Sequence, residues 1–168
     1  MRLVVLTGAS GSGKTAIANA IRARYSARAE VFHFDSIGIP PTDRMIAECG
    51  SIEEWQRVKT IEWIAKIAGM SASDRSILFE GQVRLSFLTE AISTAGLENH
   101  RIILIDCDDA TRARRLVGDR AQPHLANPTM LNWAKFLRDE AKRDGCEILD
   151  TSTATIDACV ERVAKHLT

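Results

Sequence analysis

The chain has 168 residues, 45% of them hydrophobic and 26% charged, which allows one compact domain with a real core and excludes a disordered or fibrous chain. Lys plus Arg balance Asp plus Glu at 22 each, so no global positive field draws nucleic acid or an anionic membrane, and any affinity for phosphate must be local. The N-terminal apolar run LVVLTGAS is too short to span a membrane and is cut by glycine before a signal-peptide cleavage pattern, so a cytoplasmic location is expected.

Residues 2–7, RLVVLT, are a short β-branched run ending in glycine, as suits a strand buried on both faces. From Lys14 to about Ala27, Ile17, Ala20, Ile21 and Tyr25 recur at helical spacing. A second strand, EVFHFD, ends at Asp35, and Ile39-Pro40-Pro41 cannot continue as regular structure. Ser51 with Glu54 forms a capping box, opening a helix that carries Trp55, Val58, Ile61, Ile64 and Ile67 and runs to Ile67 or Gly69. The apolar SILF then leads into EGQVR, RIILIDCD is a fourth strand and EILD a fifth. Helices are expected near 86–95, 109–117, 128–144 and 155–167. Asn127-Pro128 marks the start of the third of these and Gly145 its stop.

Strands separated by helices of ten to twenty residues imply parallel crossovers, hence an α/β, doubly wound, five-stranded parallel sheet in a single domain spanning residues 1–168. In such sheets ligands collect at the carboxyl ends of the strands. Gly8 to Thr15, Asp35, Glu80 to Arg84, Asp108 and Asp150 all fall there.

GASGSGKT fits the Walker A pattern in full. Gly8, Gly11 and Gly13, with the small residues Ala9, Ser10 and Ser12, let the backbone curl so that its N–H groups converge on phosphate, and the following helix adds a positive dipole end. Lys14 is placed to reach the β and γ phosphates and Thr15 to offer its hydroxyl to Mg²⁺. Glu80 can hold the same ion through water, Gly81 permits close approach, and Arg84 directs a fixed charge at an anionic group. Four arginines among residues 112–120 repel one another unless anions or carboxylates compensate them. Cys49, Cys107, Cys146 and Cys159 are too dispersed for a metal site and read as buried free thiols. The scattered His33, His100, His124 and His166 receive no chemical role. Trp55 and Trp63 are eight residues apart on one helix and read as packing.

On these motifs the chain resembles the small P-loop kinases of the adenylate kinase, shikimate kinase and chloramphenicol phosphotransferase type over nearly its full length. The resemblance implies strand order 2-3-1-4-5, an acceptor-binding segment at about 36–70 and a short lid at about 115–127. Glu80-Gly81-Gln82-Val83-Arg84 stands where nucleoside monophosphate kinases carry Asp-Gly-x-x-Arg, with Glu for Asp and Val where proline is usual. The resemblance assigns Arg84 to the acceptor, and Arg115 and Arg120, with Arg112 next, to the transferred phosphate. Thr151 and Ser152, after Asp150, resemble the loop that touches adenine. Asp35-Ser36 resembles the pair after the second strand in chloramphenicol phosphotransferases, where an aspartate can take the proton of an attacking hydroxyl.

The expectation is therefore a kinase dependent on ATP and Mg²⁺ that phosphorylates a hydroxyl of a small-molecule acceptor. Two alternatives stand beside it. One is a nucleoside monophosphate kinase, for which Arg84 would matter and Asp35 would not. The other is a nucleotide-binding regulatory protein with slow ATPase activity and no acceptor.

Overall fold

In the computed structural model, which describes residues 1–70, 75–119 and 121–167, strand β1 (Leu3–Thr7) is buried along its whole length. It pairs in parallel with β3 (Ser76–Glu80) on one side and β4 (His100–Asp106) on the other. Strands β2 (Ala29–His33) and β5 (Glu147–Asp150) complete the order β2-β3-β1-β4-β5, all parallel, as the sequence leads one to expect. In chain order the α-helices are α1 (Lys14–Arg24), α2 (Thr42–Cys49), α3 (Ile52–Gly69), α4 (Leu85–Thr94), α5 (Asp109–Arg114), α6 (Pro128–Arg143) and α7 (Ile156–Ala164). None of the described helices is long and apolar enough to cross a membrane.

Side chains alternate between the two faces of a strand, and β1 divides its residues accordingly. Val4 and Leu6 join Ile17 and Ile21 of α1 and Val160 and Val163 of α7. Leu3 and Val5 join Ile64 and Ile67 of α3, Leu88 of α4 and Leu137 of α6. The sheet is thus the middle of three layers, which explains why its strands read as apolar runs rather than as alternations.

Local chemistry sets the element ends. The Ser51 hydroxyl accepts from the Glu54 N–H at 3.0 Å, Asn127 caps α6 through the Met130 N–H at 2.9 Å, and Thr155 caps α7 through the Ala158 N–H at 3.2 Å. Asp108 starts α5 in the same way, and the Thr111 N–H at 2.6 Å holds its carboxyl below the usual carboxylate range.

The structure departs from the sequence expectation in three places, two of which bear on the site. Strand β2 ends at His33, and Phe34–Ile37 form a 3₁₀ turn, so Asp35 lies beyond the strand end. Residues 115–119 continue from α5 as a π-helical turn. Helix α2, started by Pro41 and stopped by Gly50, went unread because it is only eight residues long, follows Pro40-Pro41 directly and buries only Met45. Trp63 packs on Phe79 with ring centroids 5.4 Å apart and Trp55 meets Phe34 edge-on at 6.2 Å, both as packing residues.

Ile64 is fully buried between α3 and the sheet. Ile64→Ala is expected to lower the unfolding free energy by about 2–5 kcal/mol in urea titrations followed by circular dichroism. A loss well below 1 kcal/mol would mean that α3 is not seated on the sheet in solution.

Candidate active site

The loop between β1 and α1 is shaped by what its glycines lack. Gly8, Gly11 and Gly13 have φ of +150°, +80° and +98°. A Cβ on Gly8 would lie 2.1 Å from the Ile105 carbonyl oxygen of β4, so no other residue fits against that backbone. Left-handed residues at Gly11 and Gly13 curl the chain into a concave nest of the kind that binds anions. Helix α1 opens at Lys14 with Gly13 at its cap, no side-chain cap and no acidic residue in its first turn, so its positive end is left for a ligand.

The carbonyls of the loop are held from outside. Arg112 Nη1 donates to the Ser10 carbonyl at 2.9 Å, the Thr151 hydroxyl lies 2.8 Å from the Ser12 carbonyl, and Arg115 Nη1 lies 3.4 Å from the carbonyls of Gly11 and Ser12. Lys14 is 7% exposed, with Nζ 3.3 Å from the Ala9 carbonyl, folded back along the loop.

At the other side of the loop the ends of α1, β2 and β3 meet. Thr15 Oγ1 lies 3.4 Å from Glu80 Oε1, and His33 Nδ1 lies 2.6 Å from the same oxygen. His33 and Glu80 are cross-strand partners in the β2–β3 register, and Glu80 faces Leu6 across β1. Glu80 is 7% exposed. A hydroxyl and a carboxylate at this spacing are hard oxygen donors that suit Mg²⁺, which favours a few protein oxygens plus water and phosphate over a full protein cage. Among the described residues no three His, Cys, Asp or Glu side chains cluster in a way that could hold a metal alone.

On the far side of α1 opens a cleft of about 290 Å³. Gly11, Gly13 and Lys14 form its phosphate-loop end. Ala16 and Ile17 of α1, with Ala154, Ile156 and Cys159, give it apolar walls, while Arg115, Asp119 and Thr151 give it polar ones. An apolar cleft running into an amide nest can take a flat base at one end and a phosphate chain at the other.

Several residues singled out from the sequence sit elsewhere than expected. Arg112 is fully buried behind the loop, bonded to Asp106 Oδ1 at 2.8 Å and to the Ser10 and Cys107 carbonyls, so it faces the protein and not a nucleotide. Arg115 donates to the Thr151 hydroxyl at 2.8 Å and the Thr151 carbonyl at 2.7 Å, which sets it at the wall of the cleft beside Thr151 rather than over a transferred phosphoryl group. Arg120 lies outside the described residues. The Arg84 guanidinium pairs with Glu53 at 2.9 Å and stands 5.0–5.6 Å from the ring centroids of Phe87, Trp133 and Phe136, tying α3, α4 and α6 together. Ser152 is bonded to Asp150 and to the Asp108 N–H, so it fixes the loop after β5. Asp35 is exposed on its 3₁₀ turn, just past the strand-end pair of His33 and Glu80. A Cβ on Gly81 would lie 2.6 Å from Phe34 Cβ, so this glycine allows the turn carrying Asp35 to pack over the end of β3.

Four further contributors, Thr7, Gln56, Gln82 and His33, received no role from the residue pattern. The Thr7 hydroxyl bonds to both the N–H and the carbonyl of Val83, joining the end of β1 to the EGQVR segment. Ser10 donates to Gln82 Oε1 at 2.9 Å, and Gln56 of α3 donates to the Gln82 carbonyl at 3.0 Å. His33 belongs with them. Its only signal was its place two residues before Asp35, and that became informative once the β2–β3 register was fixed.

A family model described as AAA domain matches residues 4–151. The chain belongs to that family. No curated protein matches it. Among solved structures, a tunicamycin resistance protein of Deinococcus radiodurans superposes with a TM-score of 0.69 at 18% identity, covering 99% of this chain and 96% of the other. A gluconokinase from Sinorhizobium meliloti 1021 gives 0.65 at 17%, covering 98% and 90%. Shikimate kinase from Acinetobacter baumannii, in complex with shikimate, gives 0.56 at 14%, covering 98% and 92%. These likenesses establish a shared P-loop α/β fold over the whole chain.

Cys159 lines the cleft, and burial pushes its thiol above the ordinary thiol range. At pH 7–8 its thiolate fraction is therefore below that of a free cysteine, and alkylation should rise only as pH climbs past the ordinary thiol value. Iodoacetamide labelling read by peptide mass spectrometry is expected to show Cys159 as slow and further shielded by ADP. Labelling as fast as in urea-unfolded protein, with no effect of ADP, would contradict this placement.

Proposed function

We propose that the chain is a Mg²⁺-dependent, ATP-using kinase that transfers the γ-phosphoryl group to a hydroxyl of a small-molecule acceptor. The observation that carries the reading is convergence. The glycine nest, Lys14, the Thr15–Glu80 oxygen pair and the turn bearing Asp35 all lie at the carboxyl edge of one parallel sheet. The printed names of the structural neighbours, a gluconokinase and a shikimate kinase among them, describe proteins acting on small hydroxylated acids and support the same class for this chain.

In this reading the cleft beside Thr151 and Ile156 takes the adenine, and the loop N–H groups take the phosphates. When bound, Mg²⁺ would neutralise phosphate charge, and Thr15 and, through water, Glu80 are the residues that would hold it. His33 donates to Glu80 and fixes the orientation of that carboxylate. Asp35 accepts the proton of the acceptor hydroxyl as its oxygen attacks the γ phosphorus, the bond to the ADP oxygen breaks, and Lys14 stabilises charge on the moving phosphoryl group. Arg115 holds Thr151 and the loop at the base end, and Arg120 is proposed for the lid.

The surroundings of Arg84 bear on the acceptor. With its guanidinium paired to Glu53 and enclosed by three aromatic rings, it is already compensated. Arg57 of α3 is likewise engaged, by Glu54 and Glu90. A nucleoside monophosphate would need a cation released from such pairs, whereas a hydroxyl acceptor needs only the exposed carboxylate of Asp35.

The test is ADP release across sugars, sugar acids, cyclitols, phenicol and aminocyclitol antibiotics and nucleoside monophosphates, followed by Asp35→Asn with the best acceptor. A hydroxyl compound should stimulate release, and the variant should lower kcat by roughly 10²–10⁴ with little change in acceptor KM. Stimulation by a nucleoside monophosphate alone, with Asp35→Asn as active as the parent, would replace the proposal with a monophosphate kinase. No stimulation by any acceptor would favour a regulatory nucleotide-binding protein.

A further inference from the structure

We infer that Arg112 is a positioning residue for the phosphate loop: by holding the Ser10 carbonyl on the outside of the loop, it turns the Gly11 N–H into the cleft. The inference rests on the nucleotide reading proposed above.

The geometry comes from the planarity of one peptide. The carbonyl of Ser10 and the N–H of Gly11 share a trans peptide plane and point in opposite directions. Arg112 Nη1 reaches the Ser10 carbonyl at 2.9 Å from a fully buried position behind the loop, while Gly11 lines the cleft on the other side. The helix carrying Arg112 presses directly on that peptide. A Cβ on Gly11 would stand 3.1 Å from Arg112 Cγ. With carbonyl and guanidinium fixed, the N–H of Gly11 has one direction left, toward the phosphates.

Keeping an arginine there is costly. A buried guanidinium needs a counter-charge, supplied by Asp106 Oδ1 at 2.8 Å. The same carboxylate also takes Arg138 Nε of α6 at 2.5 Å. Arg112 Nε is buried with no hydrogen-bond partner, a penalty that an apolar side chain would avoid. Core filling alone does not account for a charge in this place, whereas orientation of a catalytic-loop peptide does. Asp106 then links two elements, since the carboxylate that anchors the loop-holding arginine is also bonded to α6, the helix that follows the expected lid.

Calorimetry of ADP and of adenosine, with parent, Arg112→Met and Arg112→Lys proteins, separates orientation from mere stability. Arg112→Met should bind ADP roughly tenfold more weakly while adenosine affinity is unchanged, since only the phosphate contacts depend on the Gly11 N–H. Arg112→Lys should fall between, because an ammonium can reach the Ser10 carbonyl without the planar fork. The Gly11 amide resonance should shift on ADP addition in the parent and less in the variants. Should Arg112→Met fail to fold, Arg112→Lys decides alone, by whether ADP is weakened more than adenosine. Equal affinities to the parent, or equal weakening of both ligands, would overturn the inference and leave the nucleotide reading standing. A parent that binds no ADP would overturn both.

Discussion

The carbonyl of Ile105 comes so near the backbone at Gly8 that no side chain can stand between them, and the site depends on that approach. It brings the exit of β1 against β4, so the chain must leave the sheet by curling over the strand ends instead of continuing upward. From there the positive-φ residues at Gly11 and Gly13 complete the nest and set the axis of α1. A loop of six small residues, Gly8 to Gly13, would be flexible by itself. Here its carbonyls are gripped by Arg112, Arg115 and Thr151, which come from the β4–α5 region and the end of β5. The nest is therefore preorganised by elements far away in sequence, at the expense of a buried charge on Arg112 that Asp106 must balance.

Strand register places the Thr15–Glu80 corner in the same way. Glu80 lies at the end of β3 because β3 is hydrogen-bonded to β1, and His33 meets Glu80 because β2 pairs with β3 in register. Thr7 then binds the segment that follows Glu80, so the ends of β1 and β3 are tied together. The proposed acceptor side is built from turns rather than strands. Its Asp35 sits on a 3₁₀ turn seated over Gly81, with Gln56 and Gln82 joining α3 to the same corner.

The sheet, its parallel sense and the loop were legible in the residues because each rests on local chemistry. GASGSGKT between an apolar run and a helical repeat has one economical explanation, and the capping pair Ser51–Glu54 shows in the structure as read. What the residues concealed was direction. Arg112, Arg114 and Arg115 are near neighbours on one short element, yet Arg112 turns into the protein, Arg115 toward Thr151 and the cleft, and Arg114 is exposed to solvent. The π-helical turn from Arg115 changes the angular spacing just where a 3.6-residue period would be applied. Arg84 was equally opaque, because two of the three rings around it come from residues 133 and 136, some fifty positions away. Strand ends were blurred by two residues at Asp35, since an apolar Phe34 continues the pattern of a strand after the backbone has begun to turn.

Hydrogen–deuterium exchange of the parent protein with and without Mg²⁺ and ADP addresses the central claim most directly, that the backbone from Gly8 to Thr15 holds phosphate while the cleft beside Thr151 holds the base. Peptides covering residues 8–15 and 151–156 should both gain protection with MgADP, and only the second should do so with adenosine. No change at residues 8–15 under saturating MgADP, or equal protection there by adenosine, would contradict the account.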